Sequence, residues 1–177
     1  MTVNPFGLIV IPVVLAGGYL LVKDRKDFGR LRPFRAVRPK DAIQVNYAVH
    51  QISRMLLIFS PLFLSIQVDT WWEMAAGLLI YILGLTLLFL SLSAYLYTPP
   101  GDFVEKGIYR RSRQPLYLSQ CLIFLAVGLL SEPVPYLFLL LAFIISKHAL
   151  ILEEEEAYLE HFGRDYSDYM TQVRRYF

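Results

Sequence analysis

Long, nearly uncharged apolar stretches recur along this chain, and they constrain its fold more than any other feature. The longest, Trp71–Tyr97, carries Glu73 as its one charged residue. Crossing the hydrocarbon core of a bilayer takes about 20 helical residues. By run length there are about five candidate spans, roughly Pro5–Val22, Tyr47–Val68, Trp71–Tyr97, Pro115–Leu130 and Pro133–Leu152. The first follows an N-terminus without lysine or arginine, a poor match to the basic leading region of a secretory signal, so it is expected to persist as a helix. With 56% hydrophobic and 18% charged residues, the chain is more apolar and less charged than a soluble domain. The expected fold is an all-α integral membrane protein ending in a C-terminal amphipathic helix.

The loops set an expected orientation. Loop one carries Lys23, Arg25, Lys26, Arg30, Arg32, Arg35, Arg38 and Lys40, and loop three carries Lys106, Arg110, Arg111 and Arg113. The intervening loops, near Asp69 and Glu132, have no lysine or arginine. Positive loops stay in the cytoplasm, which predicts the N-terminus outside, five crossings and a cytoplasmic C-terminus. Ser131-Glu132-Pro133 fits a turn into a helix start, making the last two spans a tight antiparallel hairpin. Thr70-Trp71-Trp72-Glu73 has capping-box spacing, and its tryptophans suit an interfacial belt.

Several function classes are set aside. A net charge of +2, with its basic residues in loops, does not point to nucleic acid. Cys121 is the only cysteine and lies in an apolar run, so no disulfide framework is expected. The three histidines, His50, His148 and His161, form no metal-ligand pattern, and no metal is expected.

Beyond the fifth span the chain turns abruptly acidic at Glu153-Glu154-Glu155-Glu156. A solvated helix leaving the membrane accounts for such a run. Yet Leu152, Leu159, Phe162, Tyr166, Tyr169 and Val173 recur at spacings of three and four, which places them on one helical face. Extending that stripe lands on Glu155. Four consecutive residues turn through about 300° on an α-helix, so Glu153 and Glu156 should face away. A carboxylate turned toward a membrane-domain interior has a partner or a task; a bend at Gly163 would change this register.

The loop Gly107-Ile108-Tyr109-Arg110-Arg111-Ser112-Arg113-Gln114-Pro115-Leu116-Tyr117 runs directly into the fourth span. As a basic loop on anionic headgroups, with proline opening a helix, it needs no particular residue order. Its order is nonetheless specific: Gly107, Tyr109, Arg110, Arg113, Pro115 and Tyr117 are followed one hairpin later by Glu154-Glu155, Phe162-Gly163, Tyr166, Tyr169 and Arg175. Over about residues 103–177 this resembles the isoprenylcysteine carboxyl methyltransferase and phospholipid methyltransferase group. That group usually has histidine between the arginine and the proline, where this chain has Gln114, which cannot serve as a base.

Run lengths give one membrane domain over residues 1–177 with three spans in 1–97, and the resemblance implies a cofactor-binding loop, helical hairpin and terminal helix in 98–177. It implies S-adenosylmethionine as cofactor and a lipophilic acceptor arriving through the bilayer. Gly107, Tyr109, Gln114, Pro115, Tyr117, Glu154 and Glu155 are then the cofactor-binding candidates, since carboxylates and aromatic faces favour a bound cation. Arg113 and Glu155 are the catalytic candidates. Arginine suits a carboxylate through its planar fork, which makes Arg113 the first choice and Arg175 the second for the cofactor's carboxylate or an anionic acceptor. His50 and Arg54, one turn apart on the second span, join Arg175 as acceptor-binding candidates. Snorkelling to the interface is the simpler account of Lys147 and Arg54.

A carboxylate acceptor, as in prenylcysteine methylation, needs no base, whereas an amine or thiol acceptor needs a proton removed. A sterol-reductase-like enzyme using NADPH shares the C-terminal resemblance but generally has more spans. A non-catalytic scaffold would leave the loop and Glu155 far apart.

Overall fold

The computed structural model describes residues 7–13, 41–66, 70–99, 101–131 and 134–177. Every regular element among them is helical. They are α1 over 7–13, α2 (Asp41–Phe59), α3 (Trp71–Leu96), α4 (Pro115–Ser131), α5 (Val134–Phe162) and α6 (Arg164–Gln172), with 3₁₀ turns at Ser60–Phe63 and Gly107–Arg110. The basic residues of loop one, Asp69, and the turn residues Glu132 and Pro133 lie outside the described residues.

Packing follows small and apolar periodicity. Gly77, Tyr81, Gly84, Leu88, Ser91 and Ala94 are buried and recur at three and four along α3. This face lies on α4. A Cβ at Gly77 would meet Leu130 Cδ2 at 2.5 Å, and one at Gly84 would meet the Ile123 backbone nitrogen at 3.1 Å. The two glycines thus let the backbones approach, as small residues do between membrane helices. The second pair is α2 with α5. Its register is pinned where the His50 ring lies 4.9 Å from that of Phe143, and where Tyr136 donates to the Leu57 carbonyl at 3.4 Å. As residue number rises along α2 it falls along α5, so the two run antiparallel. Tyr81 donates to the Leu8 carbonyl at 2.6 Å and ties α1 to α3.

The outer surfaces invert the pattern of a soluble protein. Leu79, Ile82 and Phe89 of α3, and Phe138, Leu141 and Ile145 of α5, point outward and exposed. Both helices are long and apolar enough to cross a membrane, while α4 is a shorter apolar helix of 17 residues. An apolar exterior of this extent marks a membrane surface.

Two local expectations shift. The second span, expected as one helix through Val68, stops at Phe59, because Pro61 lacks an N–H and enforces the tighter turn. The C-terminal stripe does not run straight: Gly163 adopts φ +55°, ending α5 and redirecting α6. Leu152 is exposed, and the buried line of α5 passes through Ile151, Glu155 and Ala157. At the start of α3, Thr70 N–H donates to the Glu73 carboxylate at 3.2 Å, and both tryptophans are exposed.

Candidate functional site

Three charged side chains converge where the loop before α4, the extension of α5 and the C-terminal tail meet. Glu155 is 3% exposed and Arg113 8%, so both are held away from solvent. Arg175 donates through Nε at 3.0 Å and Nη2 at 2.8 Å to Oε2 of Glu155. On the other side, Nη1 of Arg113 lies 3.3 Å from Oε1 of Glu155. That distance gives charge attraction, yet neither atom completes a hydrogen bond there, and Arg113 Nε is also without a partner. Two guanidiniums face one carboxylate, leaving an excess positive charge beside unsatisfied buried donors and an unsatisfied buried acceptor.

The backbone explains the convergence. After α6 the chain turns extended at Val173 (φ −121°, ψ 128°) and its tail returns along the loop. Arg113 N–H donates to the Arg174 carbonyl at 3.0 Å, and Gln114 N–H to the Arg175 carbonyl at 3.2 Å. Ser112, fully buried, adds its hydroxyl to the same Arg175 carbonyl at 3.1 Å. Tyr176 then reaches His148 Nδ1 at 2.6 Å and lies 5.9 Å from the Tyr117 ring. His148 and Glu155 are seven residues apart on α5 and so share a face.

α6 is anchored by aromatic rings. Phe103 meets Phe162, Tyr166 and Tyr169 at 5.1, 5.2 and 5.4 Å between centroids. The Tyr169 hydroxyl donates to the Tyr109 carbonyl at 2.7 Å, coupling α6 to the loop. Burial pushes the Tyr109, Tyr166 and Tyr169 hydroxyls above the ordinary tyrosine range. The neighbouring Glu155 charge raises the Tyr166 hydroxyl further, and the nearby Arg113 charge lowers it. Arg175 is held firmly protonated by its bond to Glu155.

The remaining candidates fall into distinct places. Gly107 sits at φ +63°, the left-handed conformation that glycine adopts freely, with Ala94 3.6 Å from where a Cβ would be. Pro115 is buried as the first residue of α4, and the Gln114 carbonyl accepts from Leu118 N–H at 3.2 Å to start that helix. The Tyr109 ring packs on Tyr95 at 5.6 Å, and the Tyr117 hydroxyl donates to the Ile144 carbonyl at 3.1 Å, so both rings are built into the packing. Glu154 pairs with Lys147 at 2.6 Å on the neighbouring face of α5. His50 and Arg54 do not join the cluster. His50 is level with Phe143, twelve residues or about 18 Å along α5 from Glu155. Tyr176, His148 and Ser112 are members that sequence reasoning missed, with only the seven-residue spacing of His148 and Glu155 there to be read; Tyr166 stood in the stripe and in the motif but was given no role at the site.

The family model for phospholipid methyltransferases matches residues 72–165, more than half of the 177-residue chain. The chain belongs to the phospholipid methyltransferase family. No curated protein matches it. As a family member with two helices able to cross a bilayer, it is a membrane methyltransferase. The match takes in Arg113 and Glu155 and ends before Arg175, so it starts and stops earlier than the expected 103–177, and it carries the phospholipid name rather than the prenylcysteine one.

The donor set fits the amino-acid end of S-adenosylmethionine. Arg113 has unpartnered N–H groups suited to a carboxylate, and Glu155 Oε1 is an unpartnered acceptor suited to an ammonium. Among the described residues no group of histidine, cysteine and carboxylate side chains suits a metal ion.

Proposed function

We propose that this protein is an S-adenosylmethionine-dependent methyltransferase of the membrane, acting on a lipophilic acceptor whose nucleophile is already charged at neutral pH, most like the carboxylate of a prenylcysteine. The observation that carries this reading is the buried carboxylate between two guanidiniums, with unsatisfied polar atoms on both sides, inside a chain of a methyltransferase family. When bound, S-adenosylmethionine supplies a methyl carbon activated by its sulfonium. The chain's part is to hold and exclude. Arg113 and Glu155 would grip the carboxylate and ammonium of the cofactor, and Arg175 with Tyr176 would close the tail over them. Gly107, Tyr109, Gln114, Pro115 and Tyr117 would shape and fix the loop against α3 and α4, and Glu154 would hold Lys147 at the rim. Such positioning is where most of the rate arises when the methyl group is already activated. We place the N-terminus outside and the C-terminus in the cytoplasm, with about five crossings in all.

The choice of acceptor rests on the scarcity of bases. Gln114 cannot take a proton. Both oxygens of Glu155 are turned to guanidiniums, Oε1 to Arg113 and Oε2 to Arg175. A carboxylate acceptor needs neither. The contact between loop and Glu155 also argues against a scaffold, in which they would lie apart. A phospholipid amine is the second reading, favoured by the family's own name. It requires a base, and His148, whose Nδ1 is taken by Tyr176, would have to act through its other nitrogen.

Membranes with and without the protein, given methyl-labelled cofactor, test both readings. Label released by mild alkali is a methyl ester and supports the carboxylate acceptor. Alkali-stable label in an amine headgroup supports the second reading, and no protein-dependent label rejects methyl transfer.

A further inference from the structure

The aromatic faces that the sequence offers to a bound cation are built into the packing. Tyr109 is 4% exposed with its ring on Tyr95, and Tyr117 is 6% exposed with its ring beside Phe143. Tyr158 stacks on Phe162 at 5.8 Å and meets Tyr166 at 5.2 Å, within the set that anchors α6. Carboxylates are no more available. Arg113 and Arg175 already outnumber Glu155, and a sulfonium would add a further positive charge beside them. Glu154 is taken by Lys147 at 2.6 Å, and Glu153 and Glu156 are rotated about 200° and 100° from Glu155 around α5.

Tyr176 stands apart from those rings. It is partly exposed and directly follows Arg175, whose Nε and Nη2 both donate to Glu155. Its orientation is set at three points. The hydroxyl lies 2.6 Å from His148 Nδ1, and the ring lies 5.9 Å from both the His148 and Tyr117 rings, tilted by 41° and 46°. Tyr117 is fixed in turn by its hydroxyl on the Ile144 carbonyl at 3.1 Å. Burial raises the Tyr176 hydroxyl, Arg175 lowers it and Glu155 raises it, so both charges of the cluster reach this residue.

We infer that the Tyr176 ring receives the sulfonium of the methyl donor and so makes the site prefer the donor to its demethylated, uncharged product. Tyr176 thereby adds to the methyl-donor reading, on which this role rests, a residue that separates substrate from product. Arg113 and Glu155 suit the amino-acid end, which donor and product share, so they bind both alike. Selectivity has to come from the sulfur end. A ring face attracts a cation and gives no such attraction to a neutral thioether. With the nearby carboxylates paired or turned away, a pre-oriented ring beside Glu155 is the group suited to that charge. His148 is a positioning residue here, acting through the Tyr176 hydroxyl.

Calorimetric titration of the full chain in detergent, without acceptor, compares S-adenosylmethionine with S-adenosylhomocysteine and reads the ratio of their Kd values. Tyr176→Phe keeps the ring and should leave the ratio close to that of the wild type. Tyr176→Leu should shift it against the donor by roughly three- to tenfold, the worth of one cation–ring contact. Trifluorophenylalanine at position 176 keeps the ring's shape while drawing electrons from its face, and should shift the ratio in the same direction. An unchanged ratio in folded Tyr176→Leu, even with both affinities weakened, overturns the role of Tyr176 and leaves the methyl-donor reading standing. Should Tyr176→Leu fail to fold, an unchanged ratio with the fluorinated ring overturns it. Folded wild type that binds neither ligand overturns both.

Discussion

Replacing Glu155 by glutamine keeps the shape of the side chain and removes the one negative charge in the cluster. Arg113, 8% exposed, is then left buried against a neutral amide whose NH₂ group opposes its own donors. Removing one partner of a buried ion pair costs about 3–5 kcal/mol. Here Arg175 is 30% exposed and is able to turn toward water, so the loss belongs at the lower end, about 3 kcal/mol. For a chain of this size that corresponds to a fall in Tm of roughly 6–12 °C. Thermal unfolding in detergent, followed by circular dichroism, reads the change. Arg175→Gln alone should cost far less, on the order of 0.5–1 kcal/mol, because its partner keeps Arg113. Combining Arg113→Gln with Glu155→Gln should recover part of the loss, since no unpaired buried charge remains. Melting of Glu155→Gln that is indistinguishable from wild type would refute the reasoning, because a buried carboxylate between two guanidiniums cannot be removed without consequence.

Two further predictions test the frame around the site. Gly84→Ala places a methyl 3.1 Å from the Ile123 backbone nitrogen, which cannot move aside like a side chain, and should cost roughly 1–3 kcal/mol in the same melting assay. The raised hydroxyls of Tyr109, Tyr166 and Tyr169 set an alkaline limit. Their buried neutral form stabilises the fold fully below the ordinary tyrosine value of 10.0, and this contribution is lost as pH climbs from there toward their higher folded values. Tyrosinate absorbance titrated against near-ultraviolet circular dichroism should show α6 and the loop loosening together above that pH.

Much of this arrangement is legible in the residues, for identifiable reasons. Run length finds α3, whose bounds depend only on apolarity and a threonine-led cap. Helical periodicity singles out Glu155 among four glutamates, because it falls three residues after Leu152 and four before Leu159 on the apolar stripe. Arg113 and Arg175 came from the order of residues in the resemblance; no local pattern places a loop and a tail on one carboxylate. What stayed hidden depends on long-range backbone pairing. Tyr176 reaches His148 only because the extended tail hydrogen-bonds the loop through its carbonyls, and carbonyls carry no sequence signal. The stripe fails at its two ends: Leu152 is exposed although it shares α5 with Glu155, and beyond Gly163 the left-handed glycine ends the straight helix that the stripe assumes.

Calorimetric titration of the detergent-purified protein with S-adenosylhomocysteine, beside Glu155→Gln below its melting temperature, tests the central claim most directly. The cluster predicts saturable binding by the wild type and a loss of roughly tenfold or more in the variant, the value of one charged hydrogen bond. Folded wild type that binds nothing, or a variant that binds as tightly as wild type, would contradict the assignment of Glu155 and Arg113 to the methyl donor.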